Sequence, residues 1–198
     1  MKGDTLKNLI QTNNKTLDIY VPEVLRTSKE DWIHQSAAEA ETTALEVASY
    51  YFRIAQHKWG HHLGSREDYQ ASQARQGSRY RRYHSSRNVY ENEFLCGLVV
   101  SKLPRNTVGL ARNDNEIALN QRHLNCEDHQ WSVLTETVPH EVAHVVFNTL
   151  YLFSELPDNT RLFGKERIPH HGKLWKSLFC GLTGFAKIKN RFYNQIVR

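Results

Sequence analysis

The chain has 198 residues, enough for one domain with a proper core and short for two. Hydrophobic residues make up 39% and charged residues 24%, an ordinary balance for a soluble globular protein. No apolar run approaches the roughly 18 residues of a membrane span, so no membrane association is expected. The formal net charge of +5 permits contact with nucleic acid without establishing it.

Met1-Lys2-Gly3-Asp4-Thr5 leads into no apolar stretch. No secretory signal is therefore expected, and the expected compartment is the cytoplasm. The cysteines agree: there are 3, widely spaced at Cys96, Cys126 and Cys180, which argues against a disulfide framework. No C-x-x-C pair occurs, so a four-cysteine zinc ribbon is not expected at the C-terminal end. Histidine stands out, with 11 in the chain and a concentration between residues 123 and 171.

In chain order, residues 1–27 are polar apart from Leu17-Asp18-Ile19-Tyr20-Val21 and are expected to form a loosely packed lead-in to a domain spanning 28–198. Residues 29–60 read as a helix. Leu45, Ala48, Phe52, Ala55 and Trp59 recur at steps of three and four, Gly60 is a stop, and Ser28 with Asp31 gives a weak cap signal. Residues 61–92 lack periodicity and read as a basic insertion. Arg66, Arg75, Arg79, Arg81, Arg82 and Arg87 alternate there with Tyr69, Tyr80, Tyr83 and Tyr90. Phe94 to Val100, Thr107 to Ala111 and Glu116 to Leu119 read as strands, separated by turns at Pro104-Arg105-Asn106 and Asn113-Asp114-Asn115. Their short connections predict antiparallel pairing.

Residues 130–153 read as a long helix with Val138, Val142, Val145 and Val146 on its buried side and Leu134 one turn earlier. Pro139 within it predicts a kink or a local start. A last short helix is expected at 172–182, with Leu174, Trp175 and Leu178 inward and Gly181 and Gly184 closing it. The sum is an α+β domain, helices packed on a small antiparallel three-stranded sheet.

The chemistry lies in His140-Glu141-Val142-Ala143-His144, an H-E-x-x-H motif. Residues four apart share one helical face, so both imidazoles reach one ion while the glutamate between them serves as general base. Zinc acidifies water toward neutral pH and polarises a carbonyl, and a catalytic site takes three protein ligands and keeps one position open. His170, His171 and Glu166 are the downstream candidates for the third ligand. The bland alternative is a core helix that happens to carry two histidines.

Pro139-His140-Glu141-Val142-Ala143-His144 followed by His171-Gly172-Lys173-Leu174-Trp175 resembles the SprT-like (Spartan-type) zinc metallopeptidases, whose pattern is H-E-x-x-H and then H-G-x-x-W or H-G-x-x-F opening the next helix. The stretch from Gly109 to Asn120 is similar to the hairpin that precedes the active-site helix in that family. The resemblance covers about residues 40–182, strongly at the two metal motifs and loosely elsewhere. It implies a mini-zincin-like fold, one zinc per chain on His140, His144 and His171, and Glu141 as catalytic base. The implied activity is endopeptidase cleavage of DNA-associated proteins. The connection from His144 to His171 is longer than in compact members of the family, and the ribbon that many members carry is not expected here, since no C-x-x-C pair occurs.

A non-proteolytic zinc-containing module that binds DNA or protein is the alternative, and Glu141 counts against it, because a purely structural site needs no base. A zinc hydrolase acting on something other than peptides is a third reading. Arg79, Arg81 and Arg82 are the candidates for contact with single-stranded DNA, their guanidinium groups on phosphates and the neighbouring tyrosines stacked on bases; a solvated loop is the plainer reading. His57, His61 and His62 are expected to be solvated, and Cys126 and Cys180 to be buried thiols.

Overall fold

Apolar residues at helical spacing build α1 (Ala37–Trp59) in the computed structural model, which describes residues 19–59, 89–91, 96–112, 116–152 and 171–184. Ala48, Phe52, Ala55 and Trp59 of the expected face are buried, joined by Ala40, Ala44, Val47 and Tyr51; Leu45 lies at the margin. The helix starts later than the expected residue 29. Its cap is Ser36, whose Oγ accepts the Glu39 N–H at 3.4 Å while the Glu39 carboxylate accepts the Ser36 N–H at 2.9 Å, a reciprocal capping box. Ser28 and Asp31 bond each other around a turn only.

Between that turn and the cap, the chain is held by Gln130. Its Oε1 accepts the Trp32 indole N–H at 3.2 Å and the Gln35 N–H at 2.7 Å. Its Nε2 donates to the carbonyls of Gln35 at 3.0 Å and Leu124 at 3.1 Å. Part of the expected loose lead-in is also packed: Val24 is buried in the core, and Thr27 accepts the Trp131 indole N–H at 3.1 Å.

The sheet is mixed and has four strands, which corrects the expected three antiparallel ones. Along the sheet the strands lie as β1 (Val89–Glu91), β2 (Gly97–Ser101), β4 (Glu116–Asn120) and β3 (Gly109–Arg112). The β1 strand uses the last residues of the stretch expected to be irregular. The hairpin β3–β4 is antiparallel as expected, with Ala111 opposite Ile117, but β2 pairs with β4 in parallel, Val99 opposite Ala118.

Short connections predict hairpins only when successive strands are neighbours. Here residues 102–108 span a gap of about 10 Å, two strand spacings, and β4 fills it. All of β4 is buried, as expected for a central strand. Asn120 secures the crossing by donating from Nδ2 to the carbonyls of Thr107 at 2.7 Å, Pro104 at 3.1 Å and Leu103 at 3.4 Å.

After β4 come α2 (Gln121–Leu124) and a continuous helical run: α3 (Glu127–Ser132), a π-helical segment Val133–Thr137, and α4 (Val138–Leu152). Pro139 is thus at the start of α4, just past a π turn in which the Val138 N–H reaches the Val133 carbonyl. The expected irregularity takes this form because proline has no N–H to extend the ladder. Leu134, Val138, Val142, Val145 and Val146 are buried, as the periodicity requires. The last helix, α5 (Lys173–Thr183), ends at Gly184 with φ 73°, while Gly181 lies inside it. Helix α4 contacts α1, α5 and strands β3 and β4 and so forms the centre of an α+β core. Among the described residues no helix is long and apolar enough to cross a membrane.

Candidate metal centre

The π turn and Pro139 deliver the first turn of α4 against β3 with His140 and His144 on one face. His171 arrives from another part of the chain, beside Gly172, the N-cap of α5. The three Nε2 atoms form a triangle: 3.2 Å between His140 and His144, 2.9 Å between His144 and His171, and 3.2 Å between His171 and His140. Hydrogen bonding does not account for this geometry, since each Nε2 offers either one proton or one lone pair. Among the described residues these histidines are the one group of three or more potential ligands whose donor atoms lie within 4.8 Å of one another, close enough to hold a metal ion.

An aromatic platform supports the triangle. Trp175 is buried and stacks on His144, with centroids 4.8 Å apart and planes at 27°. It also packs against His140 at 4.9 Å and His171 at 4.8 Å, with Phe179 stacked behind it at 5.2 Å. Trp175 and Leu178 face inward as expected; Phe179, at i+4 from Trp175, is an addition that the same helical spacing could have supplied. Burial, and then the neighbouring His171, push the His140 imidazole down to about 4. It is therefore neutral near pH 7, the form that ligates a metal.

Glu141 is buried beside the triangle, at 7% exposure. One carboxylate oxygen accepts the Ala111 N–H of β3 at 2.7 Å. Burial pushes this carboxyl up to about 7, with the Ala111 N–H acting in the opposite direction. A carboxyl with that pKa can both take and return a proton near neutral pH. Gly109 makes the close approach of strand and helix possible: a Cβ there would lie 2.6 Å from Thr137 Cγ2 and 3.1 Å from Glu141 Cγ. Sequence reasoning passed over Gly109 and Ala111 as functional positions. The signal was a glycine opening a strand next to the motif helix, which has meaning only once that strand is known to face Glu141.

Several expectations fall outside the described residues: the rival ligands Glu166 and His170, the basic residues Arg79, Arg81 and Arg82, and His61 and His62. His57 is exposed, as expected. Cys126 and Cys180 are half-buried free thiols, more open than expected, and Cys96 is the buried one. Comparison with protein-family models, curated proteins and solved structures gives no match to this chain.

Proposed function

We propose that the chain is a zinc-dependent metalloendopeptidase of the SprT-like, mini-zincin type. The observation that carries this reading is the convergence of three imidazole nitrogens beside a buried glutamate held near neutral pKa. The donor set fits zinc: Zn–N bonds of about 2.0–2.1 Å at tetrahedral angles separate ligand nitrogens by roughly 3.3 Å, and the triangle measures 2.9–3.2 Å. Three protein ligands leave a fourth position open, the pattern of a catalytic rather than a structural zinc.

His140, His144 and His171 would hold one ion per chain. Bound zinc would supply Lewis acidity to the attacking water and to the scissile carbonyl. Glu141 takes the proton of that water and passes it to the departing amine nitrogen. The Ala111 N–H aims the carboxylate, and Trp175 keeps the imidazoles in register. Strand β3 ends the sheet among the described residues, and Leu110 on it is exposed. An extended peptide laid along β3 would bring its backbone to the centre.

The resemblance to SprT-like enzymes directs the reading to DNA-associated protein substrates. Arg79, Arg81 and Arg82, in the segment rich in arginine and tyrosine, are the proposed contacts to single-stranded DNA.

The deciding experiment is Glu141→Gln assayed on an unfolded protein such as casein, with metal content measured alongside. Hydrolysis should fall by on the order of 10²–10⁴-fold while metal content stays at the wild-type level; undiminished cleavage would refute the mechanism. DNA contact is tested separately. Replacing Arg79, Arg81 and Arg82 by Ala should weaken single-stranded DNA binding and flatten its salt dependence by roughly 0.7 log unit per lost phosphate contact. Unchanged affinity in the triple variant would remove that part of the reading.

A further inference from the structure

Away from this centre, His123, Cys126 and His129 form the spacing H-x-x-C-x-x-H around the turn between α2 and α3. The backbone folds them together. Cys126 is the N-cap of α3, and its carbonyl accepts the His129 N–H at 3.0 Å. The two imidazoles stack with centroids 5.1 Å apart, and their Nδ1 atoms face each other at 2.9 Å. His123, Cys126 and His129 line one cleft of about 280 Å³ together with Arg105, Val108 and Arg122.

The opposite nitrogen of His123 fixes the chemistry. Its Nε2 lies 2.9 Å from the Arg105 carbonyl, which can only accept. The Nε2 of a neutral His123 therefore carries the proton, and Nδ1 turns a lone pair into the cleft. This is the arrangement a metal-ligating histidine adopts, its far N–H held by a backbone carbonyl. The Nδ1–Nδ1 separation matches the spacing in the His140, His144 and His171 triangle.

We propose that His123, Cys126 and His129 are a second transition-metal site, with two imidazoles and one thiolate for zinc or a similar soft-to-borderline divalent ion. The three donor atoms are not drawn together as closely as those of the first centre, so binding turns the half-buried Cys126 thiol toward the two nitrogens. The ion would staple the connection between β2 and β3, through the Arg105 carbonyl, to the turn that leads into the active-site helix run. The site contains no group assigned to catalysis.

Cobalt(II) distinguishes the two centres, because only this site offers a thiolate. Titration of the full metal-free chain with Co²⁺ should produce a near-ultraviolet thiolate-to-cobalt charge-transfer band whether or not the histidine triangle is loaded. Cys126→Ser should abolish the band, and Cys180→Ser should retain it. His123→Ala and His129→Ala should each weaken the affinity read from the band by roughly tenfold or more. Absence of the band at saturating Co²⁺, or its survival in Cys126→Ser, would overturn the proposal. The His123–His129 contact would then be a hydrogen bond alone.

Discussion

Glu141 shows how a residue suited to catalysis weighs on the fold. Its carboxyl rises from the ordinary 4.5 to about 7 because burial penalises the charge. A folded pKa above the unfolded one means that the related stability is fully present below pH 4.5 and is lost as pH rises through 7. At pH 8 the metal-free protein therefore bears a cost on the order of 3 kcal/mol. Glutamine has nearly the same shape, carries no charge, and can still accept the Ala111 N–H. Metal-free Glu141→Gln should melt several degrees above metal-free wild type at pH 8 and within a degree or so of it at pH 4.5. The neutral, buried His140 has the opposite dependence, losing stability as pH falls from 6.5 toward 4. That loss is common to both proteins and cancels in the comparison. Equal melting at pH 8 would show that the ionised carboxylate is solvated in the fold.

At the scale of elements, Gln130 joins parts of the chain that sequence patterning treats as separate. All four of its hydrogen bonds are internal, and it is fully buried. Gln130→Leu would keep the volume and orphan the Trp32 indole N–H, the Gln35 N–H and carbonyl, and the Leu124 carbonyl. It should cost about 2–4 kcal/mol, read as a fall in Tm of roughly 5–15 °C; a fall under a degree or two would mean that water replaces the amide. The same residue shows where legibility ended. Periodicity identified α4 and its buried valines, most of the α1 face, and the histidine pair on one side of α4, because each depends on neighbours three or four residues away. The start of α1 was marked just as locally, by the Ser36–Glu39 capping box, and was passed over in favour of Ser28 and Asp31; what local pattern does not carry is the hold of Gln130 on the chain before that cap, 95 residues beyond Gln35. The insertion of β4 between β2 and β3 was hidden for a related reason: local turn signals report chain reversals, whereas strand order is settled by which strand is buried on both faces. The Arg112–Glu116 ion pair across the β3–β4 turn is local and reinforces the one hairpin that was legible.

Across the whole molecule, the histidine triangle connects regions that sequence separates. His140 and His144 belong to the central helix α4, while His171 leads α5, which docks through Trp175, Leu178, Phe179 and Leu182. Lys58 of α1 adds a hydrogen bond from Nζ to the Gly181 carbonyl at 2.5 Å. An ion held by all three histidines binds only when α4 and α5 are together. It therefore stabilises the folded chain by about 4 kcal/mol when free metal exceeds its dissociation constant a thousandfold. For a chain of this length that corresponds to roughly 8–16 °C in Tm. The measurement belongs in a Cys126→Ser background, so that the second site makes no contribution. Chelation should lower the melting temperature by that amount, and added zinc should restore it. Adding Glu141→Gln should leave the zinc-dependent increment in place, because the glutamate is not a ligand. His171→Ala should remove most of the increment while retaining the fold, since Trp175, Leu178 and the Lys58 contact still hold α5. A melting temperature indifferent to chelator and zinc would mean that the three nitrogens converge without binding metal, and the peptidase reading would fall with them.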